Sequence, residues 1–189
     1  VVKIDRKTGA VSMEDEEEEY EFDMQELGRI TAQAVKQGLQ QRLREAERDV
    51  LFEEYEARVG QLVNVVVQRF EGDHMVVNLG KVEAFLGKDD RVRGETFNPG
   101  DRIRAIIVEV RKDGSRVRIL VSRTHPDLVR RLFELEVPEI ADAIIEIKRV
   151  VREPGYRTKM AVVSADPKID AIGACVGVRG SRIKAVIDE

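Results

Sequence analysis

Apolar and polar residues alternate through the middle of the chain. From Gly60 to Arg123, Val63, Val65 and Val67 point one way, followed by Met75, Val77 and Leu79, by Val82, Ala84 and Leu86, by Ile103, Ala105 and Ile107, and by Val117, Ile119 and Val121. A period of two marks a strand with one face on a core. Gly72-Asp73, Gly80, Asn98-Pro99-Gly100 and Asp113-Gly114 supply the turns. Five strands in about sixty residues predict a small closed β-barrel.

Upstream the period is helical. Leu39, Leu43, Ala46 and Val50 recur at spacings of four, three and four and lay one apolar stripe along a helix. Asp23 and Glu26 are spaced as a capping box, and Phe22 and Leu27 as a hydrophobic staple. The pattern runs to about Arg58 and predicts a helix roughly 50 Å long, a link between two bodies. Before it, Asp5 to Gly9 reads as a turn between two short strands, and the acidic run Glu14 to Glu19 as a solvated loop. The chain opens on Val1 without an initiator methionine, which reads as a start inside a domain.

Downstream, Pro126 suits a first helical position, and Leu128, Leu132, Phe133 and Leu135 follow before Pro138 limits the helix. Strands over about 143–151 and 157–164 flank a Glu153-Pro154-Gly155 turn. A short helix over 168–175, a glycine-bounded loop and a helix from Ser181 complete the chain. The fold class is therefore α+β and multidomain: 1–59 helical, 60–124 the barrel, 125–189 a mixed module.

The formal net charge of -4 argues against a nucleic-acid partner until it is divided. Residues 1–59 carry 9 Lys+Arg against 16 Asp+Glu, 60–137 carry 14 against 12, and 138–189 carry 9 against 8, so the acid sits in the first third. Cys175 is the single cysteine, which excludes an intrachain disulfide and suggests a reducing, cytoplasmic setting. His74 and His125 stand apart from it and from each other, so no metal centre is expected, and neither a cofactor motif nor a catalytic grouping emerges. No apolar run approaches the ~20 residues needed to cross a bilayer as a helix.

Chemistry is suggested at two places. The outer face of the barrel strands is expected to present Gln68, Phe70, His74, Asn78 and Phe85, with Arg102, Arg104, Arg116 and Arg118. Rings flanked by guanidinium groups suit stacked bases and phosphates. The same pattern is equally met if Phe70 and Phe85 pack under the preceding helix or the 88–99 loop and the arginines only solvate a sheet. The second place is Gly177-Val178-Arg179-Gly180-Ser181-Arg182, followed by Lys184. Two glycines bracket a two-residue tip between helices, which lets a sugar-phosphate backbone come close, while Arg179, Arg182 and Lys184 add charge. A lone glycine-x-x-glycine is a weak signal. After helix, strand, strand and helix it takes the order of a type II KH module, whose loop clamps about four nucleotides of single-stranded RNA.

Tyr55 to Gly60, Ser122 to Pro126, Val129 to Ile140, Arg152 to Lys159 and Gly173 to Arg182 together resemble the NusA family of bacterial transcription termination and antitermination factors. The resemblance covers nearly the whole chain. It implies that the barrel is an S-one-type OB-fold and that 125–189 is a first KH domain lacking its last strand. It further implies a monomer whose N-terminal segment docks on RNA polymerase and whose barrel and KH loop hold emerging RNA, modulating pausing, termination and antitermination. The start of the N-terminal domain and a second KH domain would lie outside these residues. Val178 and Gly87 stand where the family often has proline. Two other readings use the same modules: an RNA-binding appendage of an RNA-degrading phosphorylase, in which the KH module precedes the barrel instead of following it, and a protein-docking scaffold, which the overall acidity would suit.

Overall fold

The computed structural model describes residues 2–4, 11–14, 19–22 and 29–189, which fall into two units, Val1–Glu47 and Arg48–Glu189. In the first, β1 (Val2–Ile4), β2 (Val11–Glu14) and β3 (Glu19–Phe22) form an antiparallel sheet in that order. The acidic run, expected to be all loop, begins and ends in strand: Glu14 closes β2, Glu19 opens β3, and the two are paired. The capping residues Asp23 and Glu26, and Leu27, lie outside the described residues.

Helix α1 spans Arg29–Glu56. The stripe that its sequence lays out is exposed: Leu39 at 57%, and Leu43 and Val50 more so. The helix instead meets the barrel through Leu51 and Tyr55, one turn apart on a different face, and the Tyr55 hydroxyl donates to the Leu79 carbonyl at 3.2 Å. Arg48 and Asp49 fix the same stretch from outside. Arg48 donates to the Gly114 carbonyl (2.7 Å) and Lys112 pairs with Asp49 (2.9 Å).

Strands β4 (Leu62–Glu71), β5 (His74–Leu79), β6 (Val82–Leu86), β7 (Arg102–Asp113) and β8 (Arg116–Ser122) form one sheet. They hydrogen-bond in the order β4-β5-β6-β8-β7, and β7 returns to β4, so the ring closes. The alternating positions read from the sequence fill its interior; Val82 and Val117 are partly buried and the other thirteen fully so. Each fully buried branched side chain contributes about 1.5–3 kcal/mol relative to exposure. Phe97, from the 87–101 loop, packs against this core as well.

One strip of the barrel's outside is also buried. Ile106 on β7 is 1% exposed because α2 (Pro126–Glu136) lies over it with Leu128, Val129, Leu132 and Phe133. Val129 takes the buried place expected of Leu135, which is exposed. Pro126 starts α2, and the His125 Nδ1 accepts the Asp127 amide at 3.2 Å, a cap that the sequence pattern did not suggest. A short helix α3 (Pro138–Ala141) follows, then an antiparallel pair β9 (Ile145–Glu153) and β10 (Arg157–Ser164), then α4 (Ala171–Val176) and α5 (Ser181–Ile187). Ile145, Ile147, Cys175 and Val186 join α2 in this second core. Burial pushes the Cys175 thiol pKa up, as expected of a packed thiol.

Candidate nucleic-acid interface

The glycine-bounded loop is built by its backbone. Asp170 caps α4 by accepting the Ile172 amide (3.1 Å), and α4 closes with the Gly177 amide donating to Gly173 (2.9 Å). Gly177 then turns the chain at φ 74°, ψ 172°, and Gly180 ends the tip at φ 76°, ψ 17°. The first of these combinations is open to glycine alone. Arg179, between them, is also left-handed at φ 54°, and the Gly180 amide donates back to the Gly177 carbonyl at 3.1 Å. The result is a protrusion with Val178 82% exposed and Arg179, Ser181 and Lys184 in solvent.

Arg182 takes a different part from the one its charge suggests. Its Nη1 donates to Glu139 Oε2 (2.9 Å) and to the Ala174 carbonyl (2.7 Å), bracing α5 against α3 and the end of α4. Its methylenes occupy the space that a Cβ on Gly177 would enter, at 2.8–3.1 Å. The second glycine requirement at 177 is thus steric and comes from Arg182. A hydrogen bond from its own backbone amide, and then Arg182, hold the Glu139 carboxyl below the usual range. Arg179 and Lys184 make no ion pair among the described residues.

On the barrel the structure redistributes the expected residues. A bulge interrupts β4 between Val67 and Arg69. One extra residue reverses every side chain beyond it, so Phe70 pairs with Met75, a core residue, and Arg69 takes the outer position opposite Val76. The outer face then carries two rows: Leu120, Phe85, Val76 and Arg69 across β8, β6, β5 and β4, and Glu83, Asn78, Val66 and Arg102 across β6, β5, β4 and β7. Arg118 lies over the Phe85 ring at 5.0 Å, and His74 is exposed beside Glu71 at the strand end. Arg69 bridges Glu83 (2.8 Å) and Glu71 (2.6 Å), and its hydrogen bond holds Glu83 below the usual carboxylate range. Arg102, Arg116 and Arg118 have no ion pair among the described residues. Arg104 does, with Glu189 at 3.3 Å, and so leaves the set.

Residues 123–189 match the family model of the NusA-like first KH domain, and residues 1–49 that of the NusA N-terminal domain. The chain is 44% identical over 171 residues to transcription termination/antitermination protein NusA of Bacillus subtilis, covering 90% of this chain and 46% of that protein. The chain belongs to the NusA family. Proteins of the same name from Rickettsia conorii (44% over 161 residues, 85% of this chain and 32% of that protein) and Thermus thermophilus (42% over 175 residues, 92% and 45%) agree. The chain spans about a third to a half of the length of these NusA relatives.

In this NusA-family chain the barrel and the module after it are joined by Arg123, which sequence patterns did not single out. Its guanidinium is buried, donating to both Glu95 oxygens (2.9 and 2.7 Å) and to the carbonyls of Arg104 and Glu189 (both 2.5 Å), with the Phe97 ring 5.6 Å away. Burial opposes its charge most, but Glu95 and Glu189 together outweigh that and raise its pKa. Its local signal in the sequence is slight, an arginine placed between the end of β8 and the helix cap at His125.

Proposed function

We propose that this chain is the RNA-holding part of a transcription termination and antitermination factor that works beside RNA polymerase. Residues 1–59 form the polymerase-facing segment, 60–124 an S-one-type OB-fold, and 125–189 a type II KH domain. Single-stranded RNA lies with its sugar-phosphate backbone against Gly177-Val178-Arg179-Gly180, with Ser181 and Lys184 at the loop's flank. Phe85, Asn78, His74 and Arg102, Arg116 and Arg118 offer ring, amide and cationic contacts on the barrel. Arg182 and Arg104 support the folded modules, and Phe70 stands apart from the Phe85 face. The protein acts as a cytoplasmic monomer on the nascent transcript, without a cofactor and without catalysis.

The observation that carries this reading is the left-handed loop with its exposed tip, placed between α4 and α5 of the segment that matches the first KH family. The loop's geometry also selects the variant that tests it. Asp at 177 would collide with Arg182, whereas a Cβ at Gly180 meets only Ile183 Cγ2 at 3.8 Å, and its backbone region is one that Asp tolerates. Gly180→Asp therefore meets no clash, carries the strain of a side chain at positive φ, and sets a carboxylate against the phosphates; an unchanged circular dichroism spectrum checks that the variant is folded. Titration of single-stranded RNA at two salt concentrations is expected to give salt-sensitive binding for the parent chain and at least ~10-fold weaker binding for the variant, the order of a lost charge-assisted contact. Equal affinities would remove the loop from the function.

A further inference from the structure

Tyr156 is outside every contact described so far. It is 85% exposed and no cation among the described residues lies on its ring. Yet its backbone is held firmly. The Tyr156 amide donates to the Glu153 carbonyl at 3.0 Å, closing the β9–β10 turn, and Arg157 pairs with Glu153 at the head of the ladder. Gly155, at φ 77°, sits so close to the barrel's 87–101 loop that an added Cβ would fall 2.6 Å from Val92 Cγ1 and 3.4 Å from the Arg93 carbonyl. Val92 is buried in this contact region. The turn is therefore seated on the barrel loop, and a fixed backbone holds an aromatic ring out into water at the seam of the two modules. A rigid ring with no internal partner is suited to contact something external at small entropic cost.

The surrounding charge indicates what that is. Arg157 and Lys159 on β10 and Arg93 on the loop are exposed and make no ion pair among the described residues. Arg152, next to the turn on β9, is half-buried, donates to the His125 carbonyl at 3.0 Å and makes no ion pair among the described residues. Burial, and then the neighbouring Arg123 charge, lower its pKa against a smaller opposing pull from Glu95. An anion arriving at the seam would compensate that cation. The turn itself supplies one acid, Glu153, against Arg152 and Arg157. Ring and cations together fit a nucleic-acid strand better than an acidic peptide, for which no ring is needed.

Building on the RNA-holding reading above, we infer that Tyr156 is a base-stacking residue for single-stranded RNA at the junction of barrel and KH module, with Arg93, Arg157 and Lys159 meeting the flanking phosphates. Stacking on an exposed ring tolerates any base, so this contact adds affinity without sequence choice.

The chain contains no tryptophan, so Tyr156→Trp places a single indole at the proposed contact, where a stacked base quenches its emission. Single-stranded oligoadenylate is titrated against the parent chain, Y156W and Y156A. Y156W is expected to bind at least as tightly as the parent, with quenched emission. Y156A should bind about fivefold or more weakly, with an unchanged slope of log K against log salt, because no charge is removed. If the parent binds while Y156A matches it and the Y156W emission stays constant, the stacking role is wrong and the ring belongs to a protein partner. If the parent itself fails to bind, the RNA-holding reading falls, and this inference with it.

Discussion

Replacing Arg123 by methionine tests whether barrel and KH module stand as one body. Methionine follows the arginine's methylenes but offers nothing to the oxygens around its head. The change leaves Glu95 without its two-pronged partner and the Arg104 and Glu189 carbonyls without their donor. Removing one member of a buried ion pair costs about 3–5 kcal/mol. The Glu95 side chain keeps 23% of its surface in solvent and can turn partly to water, so the lower end, about 3 kcal/mol, is the expected loss. For a unit of this size each kcal/mol lowers the melting temperature by about 2–4 °C, giving a drop of roughly 9 °C by calorimetry. A fall below about 2 °C would place Arg123 with surface ion pairs, worth about 0–1 kcal/mol, and refute the seam as a structural element.

Ile106→Ala should cost about 2–5 kcal/mol in urea unfolding, as for a core truncation, although the residue lies on the outside of a barrel strand; a loss under ~1 kcal/mol would mean that α2 does not seal it. Gly155→Ala should destabilise by about 1–3 kcal/mol through its left-handed backbone and the overlap with Val92, and unchanged denaturant stability would contradict the seated turn. Hydrogen bonds from Lys112, and then Arg48, hold Asp49 below its ordinary value. A depressed acid contributes above its unfolded pKa and ceases to as pH falls through its folded one. The clamp between α1 and the β7–β8 turn is thus complete at neutral pH and released from about pH 4 downward, so the Gly114 amide resonance should move over that range in the parent chain and not in Asp49→Asn.

The barrel interior was legible because a strand exposes its register directly: Val63, Val65 and Val67 must share a face, and nothing between Leu62 and Val67 disturbs that. The same logic misplaced Phe70, which a bulge that no residue type announces moves off the Phe85 face while its ring stays exposed. Likewise α1 carries a regular stripe at Leu39 and Leu43 but buries Tyr55, since what a helix packs against is decided by residues distant in sequence. The loop's outline was readable from its glycines; the roles of its cations were not. Arg182 and Arg104 look like Lys184 and Arg102 in one dimension. Only the fold brings Glu139 to the first and Glu189 to the second, turning two expected phosphate contacts into braces. Arg69 and Glu83 entered the barrel face by the converse route, through cross-strand neighbours.

On the reading proposed above, the Gly177–Gly180 tip touches RNA. Amide resonances of the isotope-labelled chain, followed as single-stranded RNA is added, report on it residue by residue. The largest shifts are expected at Gly177 to Lys184, with smaller ones at Asn78 and Phe85. Shifts that saturate elsewhere while Gly177 to Lys184 stay fixed would contradict it.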